Sequence, residues 1–173
     1  MDGRLISTSG FHAVEPAARM DAMEAAFVHA AEVVVQRRGR LLDERFSGLP
    51  AQLSPDPGPR CGLVVVHKRA VGTLHCLRSM LGPVTGGFVE TSAGQEDAMT
   101  FAWEAAMQLD AILEGVRELI ACELLAIRQA WGLRQHVPRG PLAIVQSELN
   151  DLVAFVDEDR PLGPDLSALI DAL

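Results

Sequence analysis

The sequence predicts an all-α protein built as a bundle of long helices, and two segments carry that prediction. From about Gln95 to Trp131, apolar residues at Ala102, Ala106, Leu109, Leu113, Val116, Ile120, Leu124 and Ile127 recur at three- and four-residue spacing, the period that holds one face of a helix against a core. From Glu15 to about Ser47 the same period runs through Met20, Met23, Phe27, Ala30 and Val34, with no proline after Pro16.

The elements follow in order. The first helix has proline in its first turn, where a missing N–H costs nothing, and Gly48-Leu-Pro50 as its stop. Leu49 to Arg60, LPAQLSPDPGPR, holds four prolines and reads as an ordered or extended loop. A second helix from Gly62 to Leu81 ends at Gly82-Pro83, and the glycine-rich link PVTGGFVETSAG leads into the long helix. The tail gives a shorter helix from Pro141 to about Val156, a DEDRPLGPD turn and a last helical turn or two to Leu173. The expected organisation is one helical domain over residues 1–173, with a short extended segment at its start.

The two long helices would each span roughly 50 Å at 1.5 Å per residue. A compact globule of this chain length has a diameter near about 40 Å. Their apolar stripes then need cover from further chains, so the bundle is expected to be oligomeric.

Composition narrows the function. Hydrophobic residues make up 49% of 173 residues, enough for a core. The net charge of −8 comes without a basic stripe, which argues against nucleic acid as a partner. No apolar run has the length of a signal peptide or of a membrane span, and a cytoplasmic location is expected. Cys61, Cys76 and Cys122 are far apart and unpaired in pattern, so they read as buried small hydrophobes rather than as a disulfide or thiolate site. His67 and His75 share one helix with Cys76 alongside, but nothing completes a zinc-like set. Arg37, Arg38, Arg40 and Arg45 read most simply as favourable charges near a helix C-terminus, an inter-subunit salt bridge being the other reading.

The stretch ETSAGQEDAMT, Glu90 to Thr100, opens the longest helical signal. Ser92-Ala-Gly-Gln95 fits a capping box, and Glu96 and Asp97 would then lie in a first turn where the helix dipole favours acids. The same dipole would keep Glu96 ionised, able to hold a cationic amine or to move a proton.

This stretch is similar to T-S-A-N-Q-E-D-H-V-S of histidine ammonia-lyases, in the aromatic amino-acid lyase and aminomutase family. The likeness runs along the chain in order. Asp2-Gly-Arg-Leu-Ile-Ser7, Gly10-Phe-His-Ala13 and Glu15-Pro16 resemble D-G-x-x-x-S-G-G-N-F-H-A-E-P, with Val14 as an extra residue. Gly48-Leu-Pro-Ala51 and Leu53-Ser-Pro-Asp-Pro-Gly58 resemble G-L-P-A-F-L-T-P-N-P-G. Glu123-Leu-Leu-Ala126, Gln129-Ala130 and Gly132-Leu-Arg134 resemble the end of the family's central helix, and Asp157-Glu-Asp-Arg160 with Pro164-Asp165 its D-E-D-R-x-x-x-P-D.

Only the C-terminal part of the family is covered. The N-terminal part carries an Ala-Ser-Gly triplet that cyclises to the electrophilic methylidene-imidazolone group, and the catalytic tyrosines. This chain has no tyrosine, so the proton-abstracting base of such a mechanism cannot be a tyrosine of this polypeptide. Thr8-Ser9-Gly10 looks superficially like the triplet but stands where the family has S-G-G-N.

The resemblance implies a small subunit of a split, heteromeric ammonia-lyase or aminomutase acting on an amino acid. A larger partner subunit with the Ala-Ser-Gly triplet would supply the methylidene-imidazolone group, in a heterotetramer or larger assembly. It implies pocket roles for Phe11, Gln95 and Glu96, with Glu96 as the catalytic candidate. Without the family, Phe11 reads equally as a core aromatic, and His12 as a structural hydrogen-bonding residue. Gly10, Gly94 and Ala98 replace asparagine, asparagine and histidine of the family pattern. Either the substrate is not histidine or the site has decayed, and a non-catalytic scaffold or regulatory subunit is the alternative expectation.

Overall fold

The computed structural model describes residues 12–87, 91–94, 99–135 and 137–173. Among these the chain forms six α-helices and no strand: α1 (Val14–Leu42), α2 (Glu44–Ser47), α3 (Val64–Met80), α4 (Ala102–Arg134), α5 (Pro141–Leu152) and α6 (Gly163–Asp171).

In α1 the buried residues are Ala17, Glu24, Val28, Ala31, Val35, Arg38 and Leu42. Their alternating three- and four-residue steps draw one stripe along the helix. That stripe packs chiefly on α4. The cross-links Glu24 to Gln108, Arg37 to Glu123 and Ser47 to Arg134 all pair a residue with one 84 to 87 positions later. The two long helices therefore run parallel and in constant register. α3 packs on both in the opposite direction, since His67 at its start lies against Gly39 near the end of α1, while Arg78 at its end bonds Glu32 farther back along α1. Gly115 makes this close approach possible, because a Cβ there would stand 2.5 Å from Cδ2 of Leu77.

Ile112, Leu119 and Leu125 of α4 are fully enclosed with Leu53, Leu63 and Leu77, each such side chain contributing about 1.5–3 kcal/mol by leaving water. Burial along α4 is uneven. Residues 121–123, 125, 126, 129 and 130 are buried, whereas the N-terminal half exposes Trp103, Met107 and Leu113. The proline-rich loop is ordered, as expected. The Gln129 amide donates to the carbonyls of Leu53 and Val156 and accepts from the Val156 N–H. The Asp159 carboxylate accepts from the N–H groups of Cys61 and Gly62.

Two expected boundaries are corrected. The first long helix does not run unbroken to Ser47: Asp43 is extended (φ −94°, ψ 116°), and its carboxylate accepts from the Arg45 N–H to start α2. Gly48, left-handed at φ 64°, then ends α2 as the sequence suggested. The long central helix begins at Ala102, not Gln95, with Phe101 as a left-handed N-cap. Its first turn holds Glu104, so the capping-box reading of Ser92 to Gln95, with Glu96 and Asp97 in the first turn, does not describe α4. The expected extended N-terminal segment lies outside the described residues.

Candidate functional site

Both long helices begin at the same place. The residue before α1, Ala13, has φ 53°, and the residue before α4, Phe101, has φ 48°. Two non-glycine residues in the left-handed region cost about 1–3 kcal/mol each, and such strain clusters at functional sites. The two starts are tied directly, for Thr100 Oγ1 donates to the carbonyl oxygen of His12 over 2.5 Å. Around this tie lies a cleft of about 450 Å³, lined by His12, Met99, Thr100, Phe101, Trp103 and Glu104. Trp103 is 74% exposed there.

Phe11, Gln95 and Glu96, the site residues expected from sequence, lie outside the described residues. The structure does bring their flanks together: His12 follows Phe11, Met99 and Thr100 stand a few residues after Glu96, and the hydrogen bond joins the two flanks. On the other side, Ser92 and Ala93 are also left-handed, at φ 54° and 56°.

Deeper along α1 lies a polar layer that the sequence reading missed. Asp21 accepts from the N–H groups of Val84 and Thr85 and from the Thr85 hydroxyl, pinning the link after α3 to α1. Glu24, 1% exposed, accepts from the Gln108 amide at 2.8 Å, while its other oxygen has no partner among the described residues. Burial pushes the Glu24 carboxyl above its ordinary range, an effect the Gln108 bond opposes and the Asp21 charge reinforces. The signal was present: Glu24 falls on the same stripe as Ala17 and Val28.

A second charged cluster joins α1 to α4. Arg37 donates through Nε and Nη2 to both oxygens of Glu123, at 2.5 and 2.6 Å. Arg38 is 1% exposed, and its guanidinium nitrogens have no hydrogen-bond partner among the described residues. Beside it, burial raises the Cys122 thiol to about 11, so this cysteine stays protonated and unreactive near neutral pH; Cys61 and Cys76, expected to be buried as well, are instead exposed. Of the four arginines read as helix-end charges, Arg38 is corrected to a core position, because it shares a face with Ala31, Val35 and Leu42.

Among the described residues no group of three or more His, Cys, Asp or Glu side chains could hold a metal ion, and no helix is long and apolar enough to cross a membrane. The chain contains no Ala-Ser-Gly triplet. Its residues therefore do not fit the role of forming a methylidene-imidazolone group.

Residues 1–154 match the family model described as aromatic amino acid lyase. A histidine ammonia-lyase from Shewanella piezotolerans is 31% identical over 172 residues, which is 99% of this chain and 34% of that protein. One from Streptomyces coelicolor is 31% identical over 170 residues, 96% of this chain and 33% of the relative. The crystal structure of histidine ammonia-lyase from Trypanosoma cruzi superimposes with a TM-score of 0.91 at 25% identity, covering 99% of this chain and 34% of that one. Tyrosine aminomutase from Streptomyces globisporus shares the fold, with a TM-score of 0.91 at 23% identity over 99% of this chain and 34% of its own. The chain spans about a third of the length of the relatives it matches.

Proposed function

The chain belongs to the aromatic amino acid lyase family, and on that premise we propose that it is the smaller component of a split, heteromeric ammonia-lyase or aminomutase acting on an amino acid. The observation that carries this is coverage: nearly all of the chain aligns with only a third of its relatives. The rest of the family fold, and with it the Ala-Ser-Gly triplet, would come from a larger partner subunit. The methylidene-imidazolone group on that partner supplies the electrophile of the reaction.

This chain contributes bundle helices as one helical domain, and part of the pocket wall. Phe11 walls the substrate, Gln95 binds it through its amide, and Glu96 holds the cationic amine or moves a proton. The hydrogen bond from Thr100 to His12 supports this reading, since it keeps the flanks of both segments side by side. The exposed Trp103, Met107 and Leu113 on α4 support an assembly of more than one chain, because large apolar side chains on a helix gain by being covered. Substrate orientation is then a property of the assembly.

A scaffold without catalytic function is the second reading, favoured by Gly10, Gly94 and Ala98, where the family pattern has hydrogen-bonding side chains. One experiment tests both. The chain is purified with and without a co-expressed lyase subunit bearing the triplet, and deamination or isomerisation of amino acids is measured. The proposal requires a stable complex that turns over and loses at least about tenfold in kcat with Glu96→Gln, roughly 1.4 kcal/mol. A complex whose turnover ignores that substitution is the scaffold; no complex and no turnover overturn both.

A further inference from the structure

Near the opposite end of α1 from the Thr100 to His12 tie, about 40 Å away along the helix, a groove opens between α1 and α3. It encloses about 340 Å³ and is lined by Val35, Gly39, Arg40, Phe46, His67 and Val71, together with Gln36 and Asp43. We propose that this groove is a binding site for a small organic carboxylate with an apolar body, seated over Gly39 against His67 and Arg40.

Three observations carry it. Glycine at residue 39 keeps the floor low: a Cβ there would only touch Cε1 of His67, at 3.4 Å, and it is a side chain larger than alanine that would reach into the groove. Glycine inside a helix costs about 1 kcal/mol relative to alanine, and the open floor is what that cost accompanies.

The charge of the walls is positive. Arg40 makes no ion pair among the described residues and rests its guanidinium 5.8 Å from the centroid of Phe46. Behind His67 lies the buried Arg38, whose nitrogens have no hydrogen-bond partner among the described residues. The nearby carboxylate, Glu123, spends both oxygens on Arg37. Asp43 lines the groove too, but its carboxylate is bonded by Nε and Nη2 of Arg45 at 3.0 and 2.6 Å. The positive field disfavours protonation of His67, which burial and then Arg38 hold below its ordinary range; the same field favours an anion.

The third observation is size and surface. A volume of about 340 Å³ lies in the range of small-molecule sites. Val35, Val71 and Phe46 supply apolar wall area, which bare phosphate or sulfate would not use.

The test is titration of benzoate into the full chain, alone or in its complex, followed through the imidazole resonances of His67. Benzamide serves as the neutral isostere, and Gly39→Val and Arg40→Gln as variants. The expected result is a saturable shift of His67 by benzoate, with at least tenfold weaker binding of benzamide. Arg40→Gln should weaken benzoate at least tenfold, and Gly39→Val, which removes a helical glycine, should abolish the shift without lowering Tm. No saturable shift up to about 20 mM, weaker than the millimolar range that a single charge contact supports, overturns the proposal. Equal binding of benzamide, or undiminished binding to Arg40→Gln, overturns it as well. The readout requires no turnover, so its failure leaves the proposed function untouched.

Discussion

The Thr100 hydroxyl bonds the His12 carbonyl across 88 residues of sequence, at the point where both long helices begin. Thr100→Val keeps the shape and removes the donor. It should cost about 1 kcal/mol of stability, measured by urea denaturation. In the proposed assembly it should lower kcat far more than that loss explains, and Thr100→Ser should restore it. Turnover of the valine variant equal to wild type would show that the tie positions nothing.

Glu24 and Asp159 should give stability opposite pH dependences. Glu24 is raised in the folded state, chiefly by burial, from an ordinary value of 4.5. Its favourable contribution is complete below that value and is lost as pH rises through the folded pKa. Asp159 is lowered from 3.8, first by the Cys61 N–H, so its contribution is present above that value and is lost as pH falls through the folded pKa. Glu24→Gln should therefore flatten the fall in Tm above about pH 4.5 and raise Tm at pH 7. Asp159→Asn should lower Tm at pH 7 and leave it nearly unchanged in strong acid.

Arg37 and Glu123 form one ion pair, yet removing its two members should not cost the same. The Arg37 side chain is 65% exposed and that of Glu123 only 10%. Arg37→Ala takes both hydrogen bonds from the buried Glu123 carboxylate but leaves it Arg38 as counter-charge, and should cost about 1–3 kcal/mol. Glu123→Ala also strips the carboxylate nearest the buried Arg38, and about 3–5 kcal/mol is expected. Arg38→Met, which removes the unpartnered charge, should stabilise by about 1–4 kcal/mol. Chemical denaturation of the three variants under one condition decides it; equal losses for the first two would disprove the asymmetry.

Gln129→Leu should be among the most damaging isosteric changes. It leaves two carbonyls and one N–H, at Leu53 and Val156, without partners in a buried setting. Each orphaned group costs about 1–3 kcal/mol. The proline-rich loop and the Val156 segment should also lose amide protection together in hydrogen exchange.

The helices α1 and α4 were legible from their period, but not the faces they bury: none of the residues named on the two expected stripes is buried, and the core runs beside them, through Val28, Ala31 and Val35 and through Ile112, Leu119 and Ala126. Their ends were not, because ends depend on groups far away in sequence. The capping pattern at Ser92 to Gln95 is a local signal, while α4 starts at Ala102 after a segment held by His12. The break after Leu42 has no glycine or proline to announce it; Asp43 makes it by bonding the Arg45 N–H. The proposed pocket residues Phe11, Gln95 and Glu96 come only from family motifs, which spacing alone would not single out, and all three lie outside the described residues. Arg38 and Glu24 were within reach of the sequence, since both sit on the α1 stripe, but arginine and glutamate ordinarily mark a solvent face.

The constant offset between α1 and α4 has a consequence for how the chain is made. The α1 residues Glu24 and Arg37 meet α4 partners 84 and 86 positions later, and a ribosome adds about 5–20 residues per second. The stripe of Val28, Ala31, Val35 and Leu42 thus waits roughly 4 to 17 s for its native cover. α3 emerges sooner but takes only part of that surface. During those seconds nascent α1 is an amphipathic helix without its main partner, and a holding chaperone that recognises apolar helical faces is its expected companion.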